Sequence, residues 1–211
     1  MKLQTILFLI LVFLIGCNKP IVKPEIKIAE HKKASINLES IRSKARQSFE
    51  FCKTKNFNID FCILIDMNVH SGMKRFFVWD FKKGKIVNSF LVGHGCGDNP
   101  WSYDYSKETP AFSNIDGSHC SSLGKYKIGA RADSDWGVKV KYVLHGLDST
   151  NNNALKRYIV FHSWEAVSDE EVYPDGTPEG WGCPTISNNS FKIIDPLLQA
   201  STKPVLMWIY K

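Results

Sequence analysis

Residues 158–164 read Tyr-Ile-Val-Phe-His-Ser-Trp, and residues 179–187 read Glu-Gly-Trp-Gly-Cys-Pro-Thr-Ile-Ser. The first stretch is a short apolar run that stops on His162. A run of that length reads as a buried strand, with its first polar residue at the strand end. The second brings Cys183, preceded by Gly180 and Gly182 and followed by Pro184. A thiol with an ordinary pKa of about 8.5 holds little thiolate at neutral pH. An imidazole within reach takes that proton and makes the sulfur a nucleophile. Gly182 leaves the backbone open, so the amides of Gly182 and Cys183 can aim at a developing oxyanion. Pro184 has no N–H to offer and stiffens the exit. The plainer alternatives are a buried or disulfide-bonded Cys183 and a strand-end His162 with its polar atoms satisfied.

Outward from this stretch the chain reads as mainly β with a few helices. Apolar residues at period two over 57–69 predict a strand. A second strand over 75–81, a turn at 82–84 and a third strand over 86–92 complete an antiparallel meander. Strands resume over 124–128 and 138–144, and one over 205–210 closes the chain. Leu38, Ile41, Ala45, Phe49 and Cys52 fall three and four apart and predict a helix over 37–53. Asn37 is its N-cap, and Glu39 sits in the first turn where the dipole favours an anion. Asn151, Asn152 and Asn153 cap a helical turn over 154–157. A short helix over 191–195 starts at Asn189 or Ser190 and is broken by Pro196. Residues 93–122 form a long polar loop, whose Trp101, Tyr103, Tyr105 and Phe112 argue for order beside a groove.

The chain has 211 residues, 44% hydrophobic and 12% aromatic, with net charge +6. That suits one domain plus appendages. The lysines are scattered, which speaks against a nucleic-acid partner. Lys2 precedes a nearly unbroken apolar run over 3–15. It falls short of the roughly 20 residues of a membrane span but fits a signal-peptide core. Leu14-Ile15-Gly16-Cys17 resembles a bacterial lipobox, which implies removal of 1–16 and a lipid anchor on Cys17; an ordinary export signal is the alternative. Asn18 in place of Asp favours the outer membrane in a Gram-negative cell. Residues 17–35, with Pro20 and Pro24, read as a lipidated tether. Residues 36–56 hold the N-terminal helix, and 57–211 form the main domain. Five cysteines remain besides Cys17, so in an oxidising compartment at least one is unpaired. Cys52–Cys62 and Cys96–Cys120 are the expected pairs, with Cys183 left over; buried free thiols are the alternative.

The ordered residues resemble the YkuD-type L,D-transpeptidase catalytic domain, in its murein branch. The resemblance rests on Val92-Gly93-His94-Gly95, Phe112-Ser113-Asn114, Gly117-Ser118 and Ser121-Ser122-Leu123-Gly124. It continues through Gly146-Leu147, Asn153-Ala154, Arg157-Tyr158-Ile159-Val160, Gly182-Cys183-Pro184 and Ile193-Ile194-Asp195. It spans roughly residues 60–210. It implies mixed β-sheets with the active site at strand ends, making 57–211 a catalytic domain. It also implies peptidoglycan stem peptides as substrate, in the cell envelope, with no metal or organic cofactor. Cys183 then attacks the carbonyl of an L-centre residue before a terminal D-amino acid, and His162 moves the proton. The Ser163 carbonyl orients the ring, and Gly182 contributes to the oxyanion site. An amine resolves the acyl-enzyme into a cross-link, or water resolves it into a trimmed stem. Three features depart from the family's pattern: a longer gap from His162 to Cys183, Ser163 in place of the usual Gly, and the approach Glu179-Gly180-Trp181.

Other residues read less sharply. Trp181, Arg157, His94 and His119 are candidates for substrate binding, Arg157 through a carboxylate. A structural ion pair is the alternative for Arg157. His94, Cys96, His119 and Cys120 are of metal-ligating type, but in two dipeptide-scale pairs that suit zinc poorly. Trp101, Tyr103 and Trp136 read as loop packing rather than a substrate platform. The competing function is a non-catalytic, peptidoglycan-binding envelope lipoprotein, tethered to a membrane through its N-terminal lipid. An NlpC-like endopeptidase fits less well, since there the Cys precedes the His.

Overall fold

The computed structural model describes residues 36–211. The expectations for the signal segment 1–16, for Cys17 and for the tether 17–35 lie outside the described residues. The elements run α1 (Leu38–Lys55), β1 (Phe61–Asp66), β2 (Phe76–Asp80), β3 (Lys85–Phe90), β4 (Gly124–Asp133), β5 (Val140–Gly146), β6 (Val160–Ser163), β7 (Thr185–Ile186), α2 (Asn188–Ala200) and β8 (Leu206–Tyr210). The fold is mainly β with two helices, as the alternating pattern predicts.

The eight strands form one mixed sheet in the order β3-β2-β1-β8-β4-β5-β6-β7. The β1-β2-β3 meander is antiparallel throughout. The closing strand β8 inserts between β1 and β4, parallel to the first and antiparallel to the second. Every residue of β1 after Phe61 is buried, because both of its faces are covered. Ile63 and Ile65 enter the main core with Phe76, Tyr126, Phe161 and Phe191. Cys62 and Leu64 face the other way, onto Ile41, Ala45 and Cys52 of α1. Each fully buried Ile, Leu or Phe in these clusters contributes on the order of 1.5–3 kcal/mol.

Local signals set the element ends. Asn37 Oδ1 accepts from Ser40 N and caps α1. Asn58 Oδ1 accepts from the amides of Asp60 and Phe61, a turn that delays β1 to Phe61 although the apolar alternation begins at residue 57. Ser187 Oγ accepts from Ser190 N and caps α2. The expected break at Pro196 does not occur, for α2 continues to Ala200. Proline removes one helical hydrogen bond. The buried face of Phe191, Ile194 and Leu198 carries the helix across that gap. No helix among the described residues is long and apolar enough to cross a membrane.

Candidate active site

The site lies where β5, β6 and β7 meet. β6 and β7 pair in parallel, which sets Thr185 beside His162. Cys183, two residues before the start of β7, comes beside Val160 of β6, whose amide donates to Cys183 Sγ at 3.4 Å. The thiol donates toward Tyr158 O at 3.9 Å. Val160 and His162 share one strand face, since side chains two apart point the same way. His162 Nδ1 stands 2.9 Å from Ser163 O. A carbonyl only accepts, so the neutral ring carries its proton on Nδ1 and keeps Nε2 as the basic nitrogen.

His162 and Cys183 line one cavity of about 250 Å³ with Trp101, Trp136, Trp164, Trp181, Gly180 and Thr185. Its walls carry no carboxylate, ammonium or guanidinium. Burial raises the pKa of the Cys183 thiol, while the Val160 amide, Arg157 and Lys141 act in the opposite direction. Burial lowers the pKa of His162, the Ser163 carbonyl raises it, and Lys141 lowers it again. Both directions favour thiol and neutral imidazole as the resting pair.

Gly182 holds φ +99°, and a Cβ there would lie 2.4 Å from Cys120 O. Only glycine lets the loop bearing Cys183 run against residues 120–121 at this point. Ser121 Oγ closes the contact by donating to Gly182 O at 3.2 Å. Arg157 secures the other side of the same arch. Its guanidinium donates to Ser113 O at 2.9 Å, Ser122 Oγ at 2.6 Å, Ser118 Oγ at 3.3 Å and Cys120 O at 2.7 Å. Arg157 is a candidate for a substrate carboxylate, but its donors are spent on carbonyls and hydroxyls of the loop over 113–122.

His94 does not line the groove. It is fully buried, with Nδ1 accepting from Arg75 Nη2 at 2.8 Å and Nε2 2.9 Å from Ser106 Oγ. Arginine only donates, so His94 carries its proton on Nε2. Ser106 N and Oγ both donate to Glu179 Oε1, at 2.6 and 2.9 Å. Burial, then the Arg75 charge, push the His94 pKa down to about 2. This chain from Arg75 through His94 and Ser106 to Glu179 ties the long loop to the segment leading into Cys183. The Glu179 backbone adds bonds to Ser102 N and Tyr103 O, both at 2.7 Å. His119 stacks its ring on that of Trp181, centroids 5.0 Å apart, and Trp181 in turn lines the cavity.

Ser163 Oγ accepts from Val138 N at 3.0 Å, packed where a Cβ on Gly137 would lie 2.1 Å away. Ser163 therefore ties β6 to the chain entering β5. Of the two readings open for the cysteines the structure has the free thiols, at Cys52, Cys62, Cys96, Cys120 and Cys183. Cys52 and Cys62 pack as small apolar residues in the α1 core, where burial raises the Cys52 thiol pKa to about 12. Cys183 alone among the five is partly accessible. Among the described residues no three His, Cys, Asp or Glu side chains gather into a set able to hold a metal ion.

The indole wall is what sequence reading missed. Trp101 stacks on Trp164 at 5.9 Å, and Trp136 meets both edge-on at 6.2 and 6.0 Å. Trp101 and Trp136 do pack on each other, as expected of loop residues, but their cluster also faces Cys183. A signal was present: Trp164 lies two residues beyond His162, and Thr185 two beyond Cys183, so each shares its neighbour's face.

Comparison with known proteins places this geometry. No curated protein matches the chain in sequence. Among solved structures, the helical cell shape determining protein Pgp2 (K307A mutant) of Campylobacter jejuni aligns at 14% identity and TM-score 0.45, covering 74% of this chain and 48% of that one. Bd1075 of Bdellovibrio bacteriovorus aligns at 14% identity and TM-score 0.42, covering 74% and 50%. An L,D-transpeptidase of Xylanimonas cellulosilytica aligns at 11% identity and TM-score 0.36, covering 76% and 68%. The chain spans about half the length of the first two. The family model for the L,D-transpeptidase catalytic domain matches residues 32–210, from before α1 to the end of β8 and so across the whole site, and the chain belongs to that family.

Proposed function

We propose that the chain is a cysteine-dependent L,D-transpeptidase acting on peptidoglycan stem peptides. One observation carries the reading: Cys183 and His162 line the same cavity, with Nδ1 of the ring held by Ser163 O and Nε2 left basic. His162 Nε2 takes the thiol proton as Sγ attacks the carbonyl of the L-centre residue. The C–S bond forms, and the oxyanion faces the amides of Gly182 and Cys183. The intermediate then collapses, the C–N bond breaks, and His162 returns the proton to the departing D-amino acid. The amine of a neighbouring stem then attacks the thioester and leaves a cross-link; water in its place leaves a trimmed stem. Cleavage after residue 16 and lipid on Cys17 anchor the catalytic domain to the envelope, on the outer membrane if the cell is Gram-negative.

The test is incubation of the protein with tetrapeptide muropeptides. Cross-linked or trimmed products, absent with Cys183→Ala, support the reading. No product from wild type, together with a Cys183 that an acylating probe leaves unmodified, refutes it. A second reading, peptidoglycan binding without turnover, draws on the bonds of Cys183 Sγ to Val160 N and Tyr158 O rather than to the imidazole. Retention of the inactive variant on purified sacculi, with wild type equally inactive, would favour that second reading.

A further inference from the structure

Across β5, β6 and β7 three residues stand in one row: Lys141 opposite His162, and His162 opposite Thr185. Residues directly opposite one another on paired strands project from the same face. Lys141 therefore rises from the face that bears His162, while its neighbour Tyr142 and the facing Phe161 point into the core. Among the described residues no carboxylate within ion-pair distance engages Lys141, unlike Lys74, Lys83, Lys107 and Lys125. Its charge is felt at both His162 and Cys183. At the far end of the row, the Thr185 hydroxyl is buried with no hydrogen-bond partner.

We propose that Lys141 binds the free α-carboxylate of the substrate's terminal residue and so selects stems that end one residue beyond the scissile bond. This rests on the acyl-transfer reading of Cys183 and His162. The walls of the cavity offer no charge of either sign, so a carboxylate brought there loses water without gaining a partner. Arg157 has already committed its donors to the loop over 113–122. Lys141 is the remaining cation whose charge reaches Cys183. The geometry matches in scale. A terminal carboxylate lies one residue, about 3.8 Å along the chain, from the scissile carbonyl. Lys141 springs from the strand next to His162, about 4.8 Å away, and its flexible four-carbon stem spans the rest. An ammonium there neutralises the terminal carboxylate and fixes the register of the stem over Sγ.

The test uses the full-length Cys183→Ala chain, which binds without turning over. Calorimetry compares a tetrapeptide stem carrying a free C-terminal carboxylate with the same peptide as its C-terminal amide. With Lys141 present the carboxylate form binds about tenfold tighter or more, the scale of a hydrogen bond to a charged group. Lys141→Gln brings the ratio near one while leaving affinity for the amide unchanged, which also reports an intact fold. Lys141→Arg restores the preference. A ratio that Lys141→Gln leaves as it was, or an equal loss for both peptides, overturns the assignment. Failure of either peptide to bind the Lys141 protein contradicts the transpeptidase reading itself, whereas binding with no preference for the carboxylate contradicts only the role of Lys141.

Discussion

Replacing Gly182 with alanine probes how Cys183 is held. Gly182 sits at φ +99°, where a side chain imposes strain of about 1–3 kcal/mol. Its new Cβ would also fall 2.4 Å from Cys120 O, a contact that real Cβ atoms do not make. That carbonyl is fixed by Arg157 Nη2 at 2.7 Å and cannot retreat without giving up the bond. Losing a hydrogen bond to a charged group costs about 1.5–3 kcal/mol. The two effects together destabilise by about 2.5–6 kcal/mol. For a domain of this size that lowers the melting temperature by about 5–24 °C. Gly180→Ala is the internal control, because a Cβ on Gly180 meets nothing within 4 Å. Its stability should stay within about 0.5 kcal/mol of wild type. The assay is calorimetric melting of wild type and both variants, with the rate of Cys183 acylation by a carbapenem-type probe read in parallel. Gly182→Ala should melt early and acylate slowly, and Gly180→Ala should melt like wild type. A Gly182→Ala protein that melts within about 2 °C of wild type would refute the argument.

Other predictions follow from the same contacts. Because burial raises the Cys183 pKa and lowers that of His162, alkylation of Cys183 by iodoacetamide should climb through the alkaline range; a rate already flat from pH 5 to 8 would mean a preformed ion pair. Unfolded His94 takes a proton near its ordinary 6.5, whereas folded His94 resists protonation down to about 2. Its contribution is therefore intact above pH 6.5 and is lost as the pH falls, at about 1.4 kcal/mol per unit. Urea midpoints between pH 7 and 4.5 should fall more steeply for wild type than for His94→Gln, and equal slopes would contradict this. Arg157→Met should cost about 2–3 kcal/mol and speed amide exchange over 113–122; unchanged exchange there would show that the four bonds do not hold the arch.

Local features were legible because they depend on few neighbours. The stripe from Leu38 to Cys52 and the Asn37 cap place α1 within two residues, and strand alternation finds the β1-β2-β3 meander. The insertion of β8 between β1 and β4 was not legible, since a closing strand of apolar residues fits any open edge. Pro196 misled for a related reason: a local rule ends the helix there, and the tertiary burial of Phe191, Ile194 and Leu198 overrides it. At the site, the motif around His162 and Cys183 is compact in sequence and was readable. The roles of His94 and Arg157 were not, because what decides them is partners from distant segments: Arg75 and Glu179 for one, Ser113 to Ser122 for the other. Trp101, Trp136 and Trp164 converge from three separate segments, so no window of sequence shows the indole wall whole.

The most direct test of the account is the intact mass of the full-length protein after brief exposure to a tetrapeptide stem, followed by peptide mapping. The account predicts a thioester adduct on Cys183, adding the mass of the stem less the free terminal amino acid that departs, missing in Cys183→Ala and slow to form in His162→Ala. No adduct on a protein that nonetheless binds the stem, or an adduct on any residue other than Cys183, would contradict it.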